Sequence, residues 1–352
     1  MGQARMKIGV LTAGGDCPGL NAAIRGVGKT AVLKYEHEVI GFSSGFLGLI
    51  RNEYKQLNEL ALSGILTVGG TILGSSREKP FKAKEYEDYI KSKPEIIQEN
   101  YKTLGLDCLV CIGGNGTQKT AYRLSKLGLK VVGIPKTIDN DVWGTDLTFG
   151  FDSAVSIAAE AIDRLHSTAN SHKRIMVVEV MGHTTGWLAL HAGVAGGGDI
   201  ILIPEIPYKI KAISEYLIRR SEEGKPYSIV VVAEGITLPD KKNGAPRNVP
   251  AAAYIANQIL KKTGLETRET ILGYIQRGGS PTARDRVVAT ELGAYAAEMI
   301  HRGEYGKMSA YRGQKLVGIP LSDVAGKVKT VSRKHPLVLH ARSLGTCFGD
   351  SP

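Results

Sequence analysis

Two stretches of this chain repeat one construction: an apolar run of strand length, a glycine-rich turn, and a segment of helical length. Lys7-Ile8-Gly9-Val10-Leu11-Thr12 leads into Ala13-Gly14-Gly15-Asp16-Cys17-Pro18-Gly19 and then a helix over 20–33. Asp16 and Pro18 read as its N-cap and early helical proline. Leu109-Val110-Cys111-Ile112 leads into Gly113-Gly114-Asn115-Gly116-Thr117 and a helix to about Leu127, stopped by Gly128. A short, uniformly apolar strand tied to a helix buries both of its faces, so the construction predicts a parallel sheet layered between helices. Each glycine turn also delivers a helix N-terminus, whose backbone N–H groups suit a phosphate.

Neither turn belongs to a common nucleotide motif. Gly28-Lys29-Thr30 resembles the end of a P-loop, but Ala23 stands where its first glycine is required and the triplet falls inside a helix. The second turn lacks the third glycine of a dinucleotide fingerprint near Lys119. A third apolar run, Val131-Val132-Gly133-Ile134, ends instead in Pro135-Lys136-Thr137-Ile138-Asp139-Asn140-Asp141. Pro135 cannot donate to a strand ladder and closes the run. Ligands bind beyond the carboxyl ends of strands in open α/β sheets, so two aspartates there mark a site. One can accept a proton from an attacking hydroxyl while the other helps hold a metal. The plainer alternative is an Asx-rich turn capping the helix that begins near Asp152.

The alternation continues: a helix to about Ser167, then strands at 175–180, 200–203, 228–233 and 270–275. Helices are expected through 186–192 and from Ala283 to Ile300, and 240–248 reads as a polar loop. No low-complexity linker interrupts the 352 residues, which suffice for two domains. The net charge of +11 is dispersed among acids, with no block of five like charges, which argues against nucleic-acid and membrane partners. Such an excess suits a polyanionic small substrate. Four cysteines do not make a disulfide framework; Cys108 and Cys111 have redox spacing but point to opposite faces of a strand, as core residues. With no signal-peptide pattern and no long apolar run, a cytoplasmic protein is expected. Met6 could serve as an alternative start, leaving the first five residues as a frayed tail.

Five motifs in order carry a family resemblance. Gly-Gly-Asp-Cys-Pro-Gly-Leu-Asn-Ala at 14–22, Gly-Gly-Asn-Gly-Thr at 113–117, the 135–141 stretch, Val-Glu-Val-Met-Gly at 178–182 and Gly-Tyr-Ile-Gln-Arg-Gly-Gly at 273–279 resemble the 6-phosphofructokinases. The resemblance runs from Lys7 to about Ala325. It implies two doubly wound, mostly parallel-sheet α/β domains with the active site in the cleft between them. A phosphoryl-donor domain would span 1–150 and 276–326, and a sugar-phosphate domain 151–275 and 327–352. The implied activity moves a phosphoryl group from ATP, or pyrophosphate in one branch, to the 1-hydroxyl of fructose 6-phosphate with Mg²⁺.

By the same resemblance Asp139 is the general base, Asp141 its partner near the metal, and Thr137 a ligand of the transferring phosphoryl, with Lys136 beside it. Gly15, Arg77, Gly114, Gly116 and Thr117 match the donor-phosphate site. Met181, Gly182, Glu234, Tyr274 and Arg277 match sugar-phosphate contacts. Arg174 and Arg268 match arginines lent by a neighbouring subunit, implying a homodimer or homotetramer with shared sites.

Several positions depart from the family pattern. Asn115 replaces an aspartate that helps hold Mg²⁺, His183 an arginine facing the phosphoryl, and Tyr274 a histidine. Val68 and His166 replace arginines of the bacterial effector site, which argues against that control. Lys136 is the residue type of the pyrophosphate branch, whereas Gly116 leaves room for a nucleotide. An ATP-dependent kinase is the expectation. Its alternatives are a pyrophosphate-dependent enzyme and a catalytically weak sugar-phosphate-binding regulator.

Overall fold

Continuous apolar runs become the inner strands of two sheets. The computed structural model describes residues 5–82, 92–238 and 249–351. In chain order the first strands and helices are β1 (Lys7–Ala13), α1 (Leu20–Lys29), β2 (Glu38–Phe42), α2 (Phe46–Arg51) and β3 (Tyr54–Gln56). Then come α3 (Lys93–Thr103), β4 (Cys108–Gly113), α4 (Asn115–Lys126), β5 (Val131–Pro135) and α5 (Phe151–His172). β6 (Ile175–Val180), α6 (Trp187–Ala195), β7 (Ile200–Leu202), α7 (Ile210–Glu222), β8 (Ser228–Ala233), α8 (Ala251–Thr263) and β9 (Thr267–Ile271) follow. The chain ends with α9 (Ala283–His301), β10 (Lys307–Arg312), β11 (Lys315–Pro320), α10 (Leu321–Val324) and α11 (Pro336–Ser343).

The chain divides into two compact units, Met1–Ser153 with Arg277–Lys329 and Ala154–Gln276 with Thr330–Pro352. The first holds a seven-stranded sheet ordered β11-β10-β5-β4-β1-β2-β3. Its five inner strands run parallel, while β3 and β11 join the edges antiparallel. The direction of strand succession reverses between β1 and β4, the kind of switch point beside which open α/β sheets bind ligands. Phe42, Phe46, Leu49, Leu109, Cys111 and Leu124 belong to one buried cluster in this unit. α1 and α9 cross through a glycine notch: a Cβ on Gly26 would lie 2.6 Å from the Thr290 carbonyl oxygen, and one on Gly293 2.5 Å from that of Ala23. The second unit has a four-stranded, all-parallel sheet ordered β7-β8-β6-β9. This is a mixed α/β protein with mostly parallel sheets, as the alternation of apolar runs predicts.

Two local expectations need correction. α1 is capped by Gly19 at φ +98° with no side-chain cap, so Asp16 is not the N-cap, and the helix changes to π geometry over Thr30–Lys34. The strand expected at 270–275 is instead β9 over 267–271, because Gly273–Arg277 winds into a 3₁₀ turn. In the aspartate turn the Asp139 amide N–H donates to Thr137 Oγ1 at 3.0 Å. Cys108 and Cys111 are buried free thiols, and burial pushes both well above the ordinary cysteine value. The 240–248 loop, Met1 to the fourth residue, and 83–91 lie outside the described residues.

Candidate active site

The site in the first unit is built by register. Ala13 pairs with Gly113, and Gly113 pairs with Pro135, so β1, β4 and β5 end level and side by side. The segments that follow, the turns at 14–19 and 136–141 and the N-cap and first residues of α4 at 114–117, therefore leave one edge of the sheet together. Gln118, fully buried, donates from Nε2 to the carbonyl oxygens of Gly113 and Ile134, both at 2.9 Å, and so staples the ends of β4 and β5. Lys136 ties the first turn to the third: its Nζ donates to the Gly15 carbonyl oxygen. Burial, with Arg277 adding to it, lowers the Lys136 ammonium below the ordinary lysine value, while Asp139 and Asp16 oppose the shift.

The aspartate turn is nearly closed to solvent, with Lys136, Thr137, Asp139 and Asp141 each less than a tenth exposed. Asn115, in the first turn of α4, donates from Nδ2 to Asp141 Oδ2 at 2.8 Å and to the Asp141 carbonyl oxygen at 3.3 Å. Its own Oδ1 is buried and accepts no hydrogen bond. Asn140, between the two aspartates, takes φ +49°. Its side-chain oxygen accepts from Thr148 Oγ1 at 3.3 Å and from Lys329 Nζ at 2.9 Å. Thr148 Oγ1 also donates to the Thr137 carbonyl oxygen at 2.9 Å.

Beside these turns lies a cavity of about 450 Å³ lined by Gly15, Arg77, Gly116 and Thr117, with Lys119 and Arg123 among further cations. Gly114 is the N-cap residue of α4. Arg77 is carried by a segment strapped to the first glycine turn: Gly14 N–H donates to Ser76 O at 3.0 Å, and Ser75 Oγ donates to Gly14 O at 2.6 Å. Beside it, a nearly buried Lys93–Glu78 ion pair at 2.8 Å secures the same segment. The Arg123 guanidinium stacks 3.8 Å over the Phe81 ring, another lining residue. Arg277 belongs to this unit. Its Nη1 donates to the Asp16 carbonyl oxygen at 3.1 Å, and a Cβ on Gly15 would lie 2.6 Å from that nitrogen.

The second unit carries Arg174, Met181, Gly182, Glu234, Arg268 and Tyr274. Glu234 Oε1 accepts the His183 amide N–H at 2.8 Å, and His183 takes φ +53° just after Gly182 at φ +140°. Non-glycine residues seldom take such a conformation unless their surroundings hold it. Arg174 and Arg268 share one carboxylate, Glu266, at 2.9 and 2.6 Å, and hydrogen bonding from Arg174 lowers that carboxyl below the usual range. Met181 N–H donates to Gln276 Oε1 at 3.3 Å, and Tyr274 is 74% exposed.

Sequence reasoning missed Gln118, Asn140, Thr148 and Lys329. Asn140 was visible as a residue type tolerant of positive φ between two acids. Lys329 gave no signal, and burial lowers its ammonium to about 8 against the opposing pull of Asp146 and Asp141. Among the described residues no three His, Cys, Asp or Glu side chains cluster as a metal site, and no helix is long and apolar enough to cross a membrane.

The family model described as phosphofructokinase matches residues 7–300. ATP-dependent 6-phosphofructokinase 3 of Bacteroides thetaiotaomicron is 57% identical over 98% of this chain and 100% of its own length. ATP-dependent 6-phosphofructokinase of Spirochaeta thermophila is 56% identical over 99% of this chain and 98% of its own. Among solved structures, phosphofructokinase from Saccharomyces cerevisiae has a TM-score of 0.80 at 33% identity, covering 91% of this chain and 45% of that one. A pyrophosphate-dependent phosphofructokinase from Nitrosospira multiformis has a TM-score of 0.82 at 22% identity, covering 99% and 94%, a likeness of fold alone.

Proposed function

This chain belongs to the phosphofructokinase family, and we propose that it is an ATP-dependent 6-phosphofructokinase acting in glycolysis. The observation that carries the reading is the level ending of β1, β4 and β5, which delivers two glycine turns and the Asp139–Asp141 turn to one edge of a sheet. Phosphoryl transfer asks mainly for in-line positioning and for cations on the phosphoryl oxygens. Lys136 and Arg77 are the cations of the donor side, and Arg277 stands against Gly15. Asp139 accepts the proton of the sugar 1-hydroxyl as that oxygen attacks, and Thr137 orients the Asp139 backbone through its hydroxyl. Arg174, Met181, Gly182, Glu234, Arg268 and Tyr274 bind fructose 6-phosphate, with Arg174 and Arg268 serving a neighbouring subunit's site in a homodimer or homotetramer. Arg277 also serves the sugar 6-phosphate.

The residues present fit Mg²⁺. Asp141 would supply one carboxylate, and the buried Asn115 Oδ1, which accepts nothing from the protein, would supply a neutral oxygen. Magnesium commonly binds through one or two carboxylates and completes its shell with water and substrate phosphates. When bound it would neutralise charge on the donor phosphates.

Lys136 motivates the pyrophosphate reading, but its ammonium holds the Gly15 carbonyl, a role compatible with either donor. Gly116 favours ATP, because space beyond its Cα is open. We infer a cytoplasmic enzyme with no nucleic-acid or membrane partner, a reading supported by the dispersed net charge. A coupled assay with fructose 6-phosphate, Mg²⁺ and either ATP or pyrophosphate tests the reading. Faster turnover with pyrophosphate, or none with either donor, would overturn it.

A further inference from the structure

We propose that Lys329 is a positioning residue for the reaction, holding the Asp139–Asp141 turn in its working conformation through Asn140. The inference rests on the proposed function, because it assigns to Lys329 the orientation of the carboxylates that reading uses. Lys329 lies outside the 7–300 span of the family model and outside every motif of the sequence.

Asn140 is the hinge of the turn. It separates Asp139 from Asp141 and sits at φ +49°, a left-handed conformation that asparagine tolerates better than other side-chain-bearing residues and that a bonded side chain fixes in place. What holds it is its own Oδ1, buried and bonded to Lys329 Nζ and Thr148 Oγ1. An ammonium has three donors, and two further oxygens of the same loop receive them, Thr145 O at 3.0 Å and Asp146 O at 3.1 Å. The Lys329 backbone grips the turn as well: its N–H donates to Asp141 O at 2.8 Å, and Val328 forms an antiparallel bridge with Val142. One residue thus meets the loop at Asn140, Asp141, Thr145 and Asp146. Rotation of the backbone at Asn140 would swing both flanking carboxylates. A displacement on the order of 1 Å in a reacting group costs about a hundredfold in rate. The cavity-lining residues Gly15, Arg77 and Thr117 make none of these bonds. Loss of the tether should therefore lower kcat and leave substrate KM values nearly unchanged.

The test uses the full chain carrying Lys329→Met, Asn140→Gly, or both. Glycine tolerates the positive φ while removing the oxygen that Lys329 holds. Each single variant is expected to lose about 10- to 100-fold in kcat, with both KM values within about threefold of wild type. The double variant should lose no more than the worse single one, because both cut the same tether. Folded Lys329→Met with kcat within about twofold of wild type overturns the proposal, as do losses that multiply in the double variant. A purely structural lysine would lower the unfolding temperature without this non-additivity in kcat. If Lys329→Met does not fold, Asn140→Gly decides: an unchanged kcat refutes the tether, and a kcat loss at constant KM supports it. Wild type assayed alongside separates the two readings. Absence of transfer from ATP by wild type refutes the proposed function. Amide exchange over 137–146 still tests the tether then, expected faster in Lys329→Met; exchange equal to wild type overturns it.

Discussion

Gly116→Asp should separate the needs of the fold from those of the phosphoryl donor, because it is expected to help one and harm the other. Gly116 is the second residue of α4 and is exposed, and a Cβ there meets no atom within 4 Å. Nothing in the protein must move to admit a Cβ there. Replacing glycine inside a helix gains a few tenths of a kcal/mol, and an acid in the first turn adds about 0.3–1 kcal/mol against the helix dipole. A gain of about 0.5–1 kcal/mol in a unit of roughly 200 residues raises the unfolding midpoint by ~2 °C. The same carboxylate would stand at the wall of the donor cavity, beside Gly15 and Thr117. A unit charge about 4 Å from a phosphate charge is repelled by about 1 kcal/mol in water and about 4 kcal/mol at a protein surface. At about 1.4 kcal/mol per decade, that is roughly a 5- to 1,000-fold loss of ATP kcat/KM. If ATP binds beside Gly116 as proposed, the new side chain also takes up space the nucleoside would use, so the upper end is expected. Steady-state kinetics with each donor, together with thermal unfolding, measure both signs. ATP kcat/KM within threefold of wild type would refute the placement of the donor beside Gly116. A midpoint lowered by several degrees would refute the claim that the helix accepts the residue freely.

The remaining expectations can be stated briefly. Asp139→Asn should fold normally and lose several orders of magnitude in kcat with little change in KM, since the sugar hydroxyl loses its proton acceptor; a third or more of normal turnover would remove Asp139 from that role. Inactive Arg268→Ala chains mixed with inactive Asp139→Asn chains should regain activity if sites are shared between subunits. Failure to recover, with subunit exchange verified by mass, would exclude a shared site. Burial, reinforced by His301, holds His37 below its ordinary value, and its Nδ1 accepts the Met6 amide N–H at 3.3 Å. Between the folded-state value and 6.5 the unfolded chain binds the extra proton, so stability rises with pH through that window and is lost on acidification. His37→Gln should flatten this slope in unfolding midpoints measured from pH 5 to 7.5, and an unchanged slope would assign it elsewhere.

Strands buried on both faces are legible because composition alone marks them. Val131-Val132-Gly133-Ile134, Val177-Val178 and Ile229-Val230-Val231-Val232 have no polar side to hide, and each lies inside an observed strand. An edge strand need not carry this mark. β3 is Tyr54-Lys55-Gln56, exposed throughout, whereas β11 does carry an apolar run, Leu316-Val317-Gly318-Ile319, though it is only half-buried and is not among the expected strands. The offset at β9 has the same origin. Thr267–Ile271 is polar up to Ile271 and mostly exposed at the open edge of its sheet, while Leu272 to Ile275 has the apolar look of a strand and runs into the 3₁₀ turn of Gly273–Arg277.

The candidate site is legible where its proposed residues lie in a segment attached to a strand end, because such a segment needs a particular residue type at a particular place. Gly15, Asn115-Gly116-Thr117, Asp139 and Asp141 are expected at the site for that reason, and strand register brings their three segments to one sheet edge. The supports of the turns follow a different rule. Gln118 looks like any polar residue of an amphipathic helix, yet its carboxamide is fully buried across two strand ends. Lys329, in Gly326-Lys327-Val328-Lys329, looks like one more solvated lysine, and it reaches Asn140 across 189 positions of sequence. Its partners are mainly backbone carbonyls, which no residue code records. A buried ammonium is costly, and burial lowers this one to about 8, so the position must be held by what the three oxygens gain from it. Chemistry can be read from residue identity because few side chains perform it. Positioning can be carried by any donor that the chain returns to the right place, and only the return path, here the antiparallel bridge of Val328 with Val142, reveals which donor that is.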